Sequence, residues 1–401
     1  MNWFRVKSCV IWVFVLLLAG CYPALQREPT RPSEALVQVR FFYPRFKDDM
    51  DFRLLAQAIN RNIEYLKKLG PEHRFSYGPH DYTSAQVLES QLAFLDMVKH
   101  TKDPREIARK IKREFFLYRA AGRVGNRHVL FTGYFEPTYE ASLVSYGSFK
   151  YPIYSRPDDL VKIDLALFRP EFKGKSIVAK IVGNRVLPYH SRRDIEEGKA
   201  LRGKGLEIAW LKDPLDVAFL HIQGSGRLIL PDGEEIHVGY ASSNGRSYRS
   251  IGRYLIQKGL MDRENMSMQG IRNFLRRHPQ LMEEVLNYNP SYIFFRRMDD
   301  GPYGNINVLL TPGRSLALDS RLFPRGALCF ISAKKPVINE SGEIVRWERF
   351  SRFVVNQDTG GAIRGAGRAD LFWGSGRNAQ IAAGHMRQEG DLYVLIKKPG
   401  K

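Results

Sequence analysis

Two aspartates stand 12 positions apart near the C-terminus, on either side of a glycine-rich turn that also carries Arg364 and Arg368. The stretch reads Asn356-Gln357-Asp358-Thr359-Gly360-Gly361-Ala362-Ile363-Arg364-Gly365-Ala366-Gly367-Arg368-Ala369-Asp370-Leu371-Phe372-Trp373. Neighbouring carboxyl groups suit acid–base chemistry, because burial and a nearby negative charge both raise a carboxyl pKa. A group so raised stays protonated near neutral pH and can donate its proton. Phe372 and Trp373 offer aromatic cover to Asp370 and flat apolar faces to a sugar ring. The glycines let backbone approach a ligand and present N–H donors. The turn lacks the Gly-Lys-Ser/Thr ending of a phosphate loop. On spacing alone, a structural turn with two capping aspartates fits equally well. Asp319 ends another apolar run, and by itself reads as a strand-end cap. With Asp358 and Asp370 it makes three aspartates at strand ends in one β region.

Two further stretches have the composition of a binding surface. Phe131-Thr132-Gly133-Tyr134-Phe135-Glu136-Pro137 places a hydroxyl, a glycine and aromatics at a strand end. His221-Ile222-Gln223-Gly224-Ser225-Gly226-Arg227 is a glycine turn, followed by Tyr240 and Ser242-Ser243-Asn244. Amides, hydroxyls and aromatic faces are what a neutral oligosaccharide requires, although plain hairpin turns would look the same. His221, His237 and His385 show no metal-ligand spacing. Ser225 lacks the strand–GxSxG–helix context of a nucleophile elbow. Cys329 lies alone in an apolar run and reads as a small buried hydrophobe, while Cys9 and Cys21 fall in an export segment. Neither a disulfide framework nor a cysteine zinc pair is expected, and no cofactor is called for.

The elements that must position these residues follow from periodicity and caps. Apolar residues at helical spacing over 51–69 stop at Gly70-Pro71. Thr83-Ser84-Ala85-Gln86 is a capping box for a second helix, and Asp103-Pro104 opens a third. From Val129 to Tyr240 the pattern is short strands: a hairpin of 177–182 and 186–189 about Gly183-Asn184, then strands at 216–222 and 235–240. Helical spacing returns over 247–257 and 268–276. Strands follow at 306–310, 316–318, 327–331, 349–355 and 392–397. Helices, strands, helices, strands in that order fit an α+β protein with one β domain inserted into a discontinuous larger one, and two sequential domains would give the same order.

The N-terminus fixes the compartment. A basic start with Arg5 and Lys7, an apolar run over 10–18, and Leu18-Ala19-Gly20-Cys21 together make a secretory signal too short for a permanent membrane span. Residues 21–33, with Pro23, Pro29 and Pro32, read as a tether. Loss of the signal removes only two charges from a net +20, so the exported chain stays strongly basic. Export argues against nucleic acid as the acidic partner; peptidoglycan carboxylates and anionic lipids both fit.

Taken in order, Phe-Thr-Gly-Tyr-Phe-Glu-Pro, Ile-Gln-Gly-Ser-Gly, Tyr-Ala-Ser-Ser-Asn-Gly and Asp-Thr-Gly-Gly-Ala-Ile-Arg-Gly with its trailing Ala-Asp-Leu-Phe-Trp-Gly resemble the membrane-bound lytic transglycosylase A family, from about Phe131 to Trp373. Leu-Ala-Gly-Cys resembles a bacterial lipoprotein box, which implies acylation of Cys21. Tyr22 in place of Asp implies the periplasmic face of the outer membrane. The resemblance implies a double-psi β-barrel in a catalytic domain of 34–135 and 247–401, a β domain at 136–246, and a groove between them. It implies non-hydrolytic cleavage of the MurNAc–GlcNAc β-1,4 bond with a 1,6-anhydro-MurNAc product. Asp370 would act as acid and then base, and Asp358 and Asp319 would complete a three-aspartate signature. Thr132, Gly133, Tyr134, Gln223, Gly224, Ser225, Tyr240, Asn244, Thr359, Gly360, Ala362 and Trp373 would contact the glycan. The expected partners are peptidoglycan strands and a membrane, the latter through an N-terminal lipid; which cell-wall synthesis or division proteins it meets is not written in the sequence. A hydrolytic muramidase with Asp358 and Asp370 as a working pair, or a non-catalytic peptidoglycan-binding module, would share most of these features.

Overall fold

The computed structural model describes residues 27–399, so the export segment and the start of the proposed tether, Cys21 included, lie outside the described residues. The first elements form where their caps place them. Strand β1 (Leu36–Gln38) precedes helix α1 (Leu55–Lys67), which buries Leu55, Ala58, Ile59, Ile63 and Leu66 along one stripe. The hairpin of β2 (Arg74–Tyr77) and β3 (His80–Thr83) leads into α2 (Ser84–His100). There the Thr83 hydroxyl accepts from the Gln86 N–H, and the Gln86 side chain accepts from the Thr83 N–H at 2.9 Å. Asp103 accepts from the Arg105 N–H at 3.0 Å to open α3 (Pro104–Glu114). These helices pack on one another and on the sheet through Phe94, Ile107, Phe115, Phe330 and Phe353.

Strands β4 (Phe115–Ala120) and β5 (Val129–Glu136) belong to this first unit, and a single residue, Pro137, separates β5 from the next. The second unit contains β6 (Thr138–Ser142), β7 (Tyr151–Tyr154), and the three-stranded sheet of β8 (Val161–Asp164), β9 (Ser176–Val182) and β10 (Arg185–Pro188). It continues through β11 (Glu207–Leu211), α4 (Pro214–Gln223), β12 (Ser225–Ile229) and β13 (Glu235–Ser243). Helices α5 (Ile251–Gln257), α6 (Met268–Arg277) and α7 (Met282–Asn287) follow, then β14 (Ile293–Met298). The main sheet here runs β14-β13-β12-β6-β11-β7. It therefore takes an edge strand from well beyond residue 246, the sequence-based limit of the inserted domain.

The chain then closes a barrel with β15 (Ser315–Ala317), β16 (Leu328–Ile338), β17 (Ile344–Asp358), β18 (Arg368–Ser375), α8 (Arg377–His385) and β19 (Arg387–Lys397). Six strands run β19-β16-β17-β15-β18-β5, and the first half of β19 returns to pair with β5 and complete the circle. The pairs β15–β17 and β18–β5 are parallel and the others antiparallel. This is the mixed α+β class with a closed barrel that the resemblance implies. Leu316, Leu318, Cys329, Ile331, Val354, Leu371 and Val394 fill one core, and Cys329 is a buried free thiol as expected.

Three local expectations fail for physical reasons. Residues 216–222 form part of α4 rather than a strand. Asp213 caps that helix, Pro214 opens it, and its two faces are buried against different clusters, so no polar face breaks the apolar run. Residues 306–310 form a compact turn, with the Gly304 N–H donating to Val308 O at 2.9 Å, rather than a strand. Asp370 lies inside β18 and not at a strand end.

One buried ion pair pins the N-terminal segment to the barrel. Arg314 grips Asp48 with two bonds of 2.6 and 2.8 Å, both side chains fully buried, and also donates to Phe353 O at 2.7 Å. Asp48 accepts in addition from the backbone of Met50, Phe52 and Phe353. Asp48→Ala, which strands a buried guanidinium, is expected to cost about 3–5 kcal/mol in urea unfolding, whereas Asp48→Leu with Arg314→Met is expected to cost less.

Candidate active site

Barrel closure puts five residues in one row across neighbouring strands. Arg387 of β19 is opposite Thr132 of β5, Thr132 opposite Asp370 of β18, Asp370 opposite Ala317 of β15, and Ala317 opposite Asp358 of β17. Laterally paired residues share a sheet face, and strands are about 4.8 Å apart. The two aspartates therefore flank Ala317, their Cα atoms about 10 Å apart, with only a methyl group between them. The register is irregular here. Leu316 pairs with Asn356 but Ala317 pairs with Asp358, so Gln357 is the extra residue of a bulge. Gln357 is fully buried, accepts from the Ser315 hydroxyl at 2.6 Å and donates to Ala58 O at 3.0 Å. That anchoring keeps the bulge in place and puts Asp358 opposite Ala317.

Asp370 accepts a hydrogen bond from the Thr132 hydroxyl, and Arg368 donates to the same oxygen of Thr132 at 3.3 Å. Burial raises the Asp370 pKa; the Thr132 bond and the Arg368 charge oppose the rise without cancelling it. Asp358 accepts from the Thr359 N–H at 2.8 Å and the Asn305 N–H at 2.9 Å. Burial pushes Asp358 up to about 6, helped by the Asp370 charge and resisted by these N–H donors and Tyr134. The Tyr134 phenol is itself pushed up by burial and by the two carboxylates, and its ring lies 5.2 Å from that of Phe372. As whole residues Asp358 and Asp370 are half-buried, unlike the sealed core around them. The buried Thr359 Oγ1 and Arg368 Nε have no hydrogen-bond partner among the described residues. Such a group of unspent polar atoms beside two carboxyls suits a polar ligand.

The remaining predicted residues divide into supports and surface. Asp319 is fully buried, and none of its hydrogen bonds goes to a residue of the row. Arg321 holds it bidentately at 2.9 and 2.6 Å, and the Gly365 N–H donates to it at 2.8 Å. Burial alone would raise its pKa; Arg321 and the two backbone N–H groups hold it below the usual carboxylate range. Asp319 thus fastens the turn that joins Asp358 to Asp370. Gly133 and Trp373 pack against each other: a Cβ at Gly133 would sit 2.7 Å from the Trp373 ring and 2.8 Å from Ala383 Cα of α8. Trp373 packs with Phe135, Ala379 and Ala383, and Phe372 shares the strand face of Asp370. Asn244 is fully buried and fully used, donating to His190 O and Pro290 O at 2.8 Å and accepting from the Tyr292 N–H at 2.9 Å. Gln223 accepts from the Phe135 N–H at 3.1 Å, and Gly224 (φ +82°) ends α4. Ser225 begins β12, Tyr240 is half exposed on β13, and Thr359, Gly360 and Ala362 lie on the turn. Arg368 was visible in the glycine-rich stretch without an assigned role. Asn305, 53 residues before Asp358, gave no signal at all.

Comparison with known proteins places the chain in a family. The MltA specific insert domain matches residues 130–296, and the 3D domain matches 314–396. The membrane-bound lytic murein transglycosylase A of Escherichia coli K12 is 32% identical over 283 residues, which are 70% of this chain and 68% of that protein. The chain belongs to the membrane-bound lytic murein transglycosylase A family. The family member of Vibrio cholerae is 31% identical over 271 residues; the chain spans 65% of its length, just under two thirds. A membrane-bound lytic murein transglycosylase from Agrobacterium tumefaciens superposes with a TM-score of 0.71 at 32% identity, covering 86% of this chain and 93% of that one. E. coli MltA with bound chitohexaose gives 0.69 at 26%, covering 93% and 98%. The transglycosylase A family thus shares this barrel and its second unit.

The raised Asp358 has a consequence for stability. Its folded pKa lies above the unfolded value near 3.9, so its contribution is fully present below about pH 4 and is lost as pH rises through about 6. Asp358→Asn, which keeps an oxygen for the Asn305 and Thr359 N–H groups, is expected to raise Tm at pH 8 and to leave it nearly unchanged at pH 4. Melts in matched buffers test this, and an equal shift at both pH values would contradict it.

Proposed function

We propose that this chain cuts the β-1,4 bond between MurNAc and GlcNAc without water and leaves a 1,6-anhydro-MurNAc end, with Asp370 as acid and then base. The observation that carries the reading is a carboxyl with a raised pKa, bonded to Thr132, in one row with Asp358 and beside unspent polar atoms. Membership of the family makes the protein a murein-cleaving enzyme of the lyase type, and the chitohexaose held by the E. coli relative supports a glycan as the ligand.

In the first step the Asp370 proton passes to the glycosidic oxygen as the C1–O4 bond breaks. In the second, the MurNAc O6–H gives its proton to the Asp370 carboxylate as the O6–C1 bond forms. One carboxyl is used twice, is regenerated, and no water is consumed. Thr132 stabilises the carboxylate between the two steps and aims it. Asp358 acts as a second negative centre for the positive charge developing at C1, and Ala317 leaves the space between the two for the sugar. Asp319 is a positioning residue, acting through Gly365. The hydrolytic alternative assigns Asp358 to water activation. Its Oδ1 is already taken by two backbone N–H groups, which favours a fixed electrostatic part.

The same reading covers domains and location. The inserted unit extends from Thr138 to about Met298, because β14 completes its sheet. Membrane association follows from the family; acylation of Cys21 and the periplasmic face of the outer membrane are the finer part of the proposal.

Mass spectrometry of digested sacculi decides the chemistry: anhydro ends are expected, and reducing MurNAc ends would sink the transglycosylase reading. Asp370→Asn is expected to lower turnover about 10³-fold or more while the chain still binds sacculi. Thr132→Val removes a bond that lowers the Asp370 pKa, so the alkaline limb of the pH–rate profile should move to higher pH as turnover falls. An unmoved limb would place Thr132 outside the acid–base unit.

A further inference from the structure

Two phenylalanines in a loop before α1 touch almost nothing. Phe41 is 76% exposed and Phe42 99% exposed, and Phe42 holds φ at +58° in the left-handed region that a bulky side chain rarely adopts. The loop is not a loose end. On one side the Val39 N–H donates to Leu117 O at 2.7 Å, and on the other Phe46 is fully buried with its ring 4.9 Å from Phe330 and 5.8 Å from Phe353. Two residues further on, Asp48 is locked to Arg314. The barrel thus holds two phenyl rings outward on a fixed frame, at a cost in backbone strain that no contact within the described residues repays.

Between Leu36 and Lys47 the charged residues are all basic. Arg40, Arg45 and Lys47 are exposed, and their side chains make no hydrogen bond or ion pair among the described residues. Over 27–47 there are five basic residues, Arg27 and Arg31 included, against Glu28 and Glu34. Aromatic rings projecting between unpaired cations match the interface of an anionic bilayer, where rings enter the acyl boundary and cations meet lipid phosphates. A second copy fits worse. Two rings per copy fall far short of the roughly 800 Å² per partner that a stable dimer buries, and the cations would face each other. The position in the chain agrees: the loop is 20 residues after Cys21, within about 70 Å of it even fully extended.

We infer that Phe41 and Phe42, with Arg40, Arg45 and Lys47, form a second contact with an anionic lipid surface and so fix the orientation of the barrel on its membrane. The inference rests on membrane association but not on acylation of Cys21.

The test uses the full chain carrying Phe42→Trp, compared with the parent and with Val345→Trp, an exposed position (54%) on β17. Flotation with vesicles containing phosphatidylglycerol reports attachment, and quenching by brominated acyl chains reports where the indole sits. With Phe42→Trp the added emission should shift to the blue and be quenched in phosphatidylglycerol vesicles, less so in phosphatidylcholine, while Val345→Trp is not quenched. Adding Arg40→Gln and Arg45→Gln should reduce the quenching ~2-fold or more at physiological salt. A chain that does not float overturns membrane attachment and this inference together. A chain that floats but quenches no more at position 42 than at 345, or whose blue shift needs no vesicles, overturns this inference alone.

Discussion

The parallel ladder between β5 and β18 is the constraint on which the site depends. It sets Thr132 beside Asp370 and Tyr134 beside Phe372 in a single register. A slip of one residue would turn every one of these side chains to the other face. The closing contact of β19 on the same stretch of β5 removes the free edge that would allow such a slip. A barrel wall can hold reacting groups in this way with no loop involved.

Within that frame, the electrostatics come from spacing and burial. Ala317 separates the two carboxyls by one strand, close enough for Asp370 to help raise Asp358. The third aspartate has the opposite character. Asp319 is charge-compensated by Arg321 and tied to Gly365, so it stays ionised and carries structure. Three aspartates in one region have been given two kinds of work by their neighbours. The side chains that differ most, Arg321 and Tyr134, lie in separate parts of the chain.

Much of this was legible in the sequence wherever the signal is local. Thr83, Gln86, Asp103 and Pro104 announced two helices because caps act within four residues. Gly183-Asn184 announced a hairpin for the same reason. Helix α4 was read as a strand because it is buried on both sides, which removes the polar face on which periodicity depends. At the site, Asp358, Asp370, Thr132 and Tyr134 stood out through their types and ordered motifs. Asn244 has the same composition signal, yet its amide is spent on His190, Pro290 and Tyr292. Composition reports what a side chain is able to bond, and only the tertiary fold reports what it has bonded. The Asn305 N–H on Asp358 and the bulge at Gln357 depend on barrel closure and leave no local trace.

The joint at Pro137 has a mechanical meaning. β5 is a stave of the barrel up to Glu136, and one residue later the same chain is β6 of the other unit, which also grips β5 through Gln223 on the Phe135 N–H. No slack separates the two. A load on the inserted unit would travel along β5, the strand that carries Thr132. The joint thus ties the inserted unit to the barrel wall through one continuous stave, and Asp370 on β18 is reached from it only across the ladder and the Thr132 hydrogen bond.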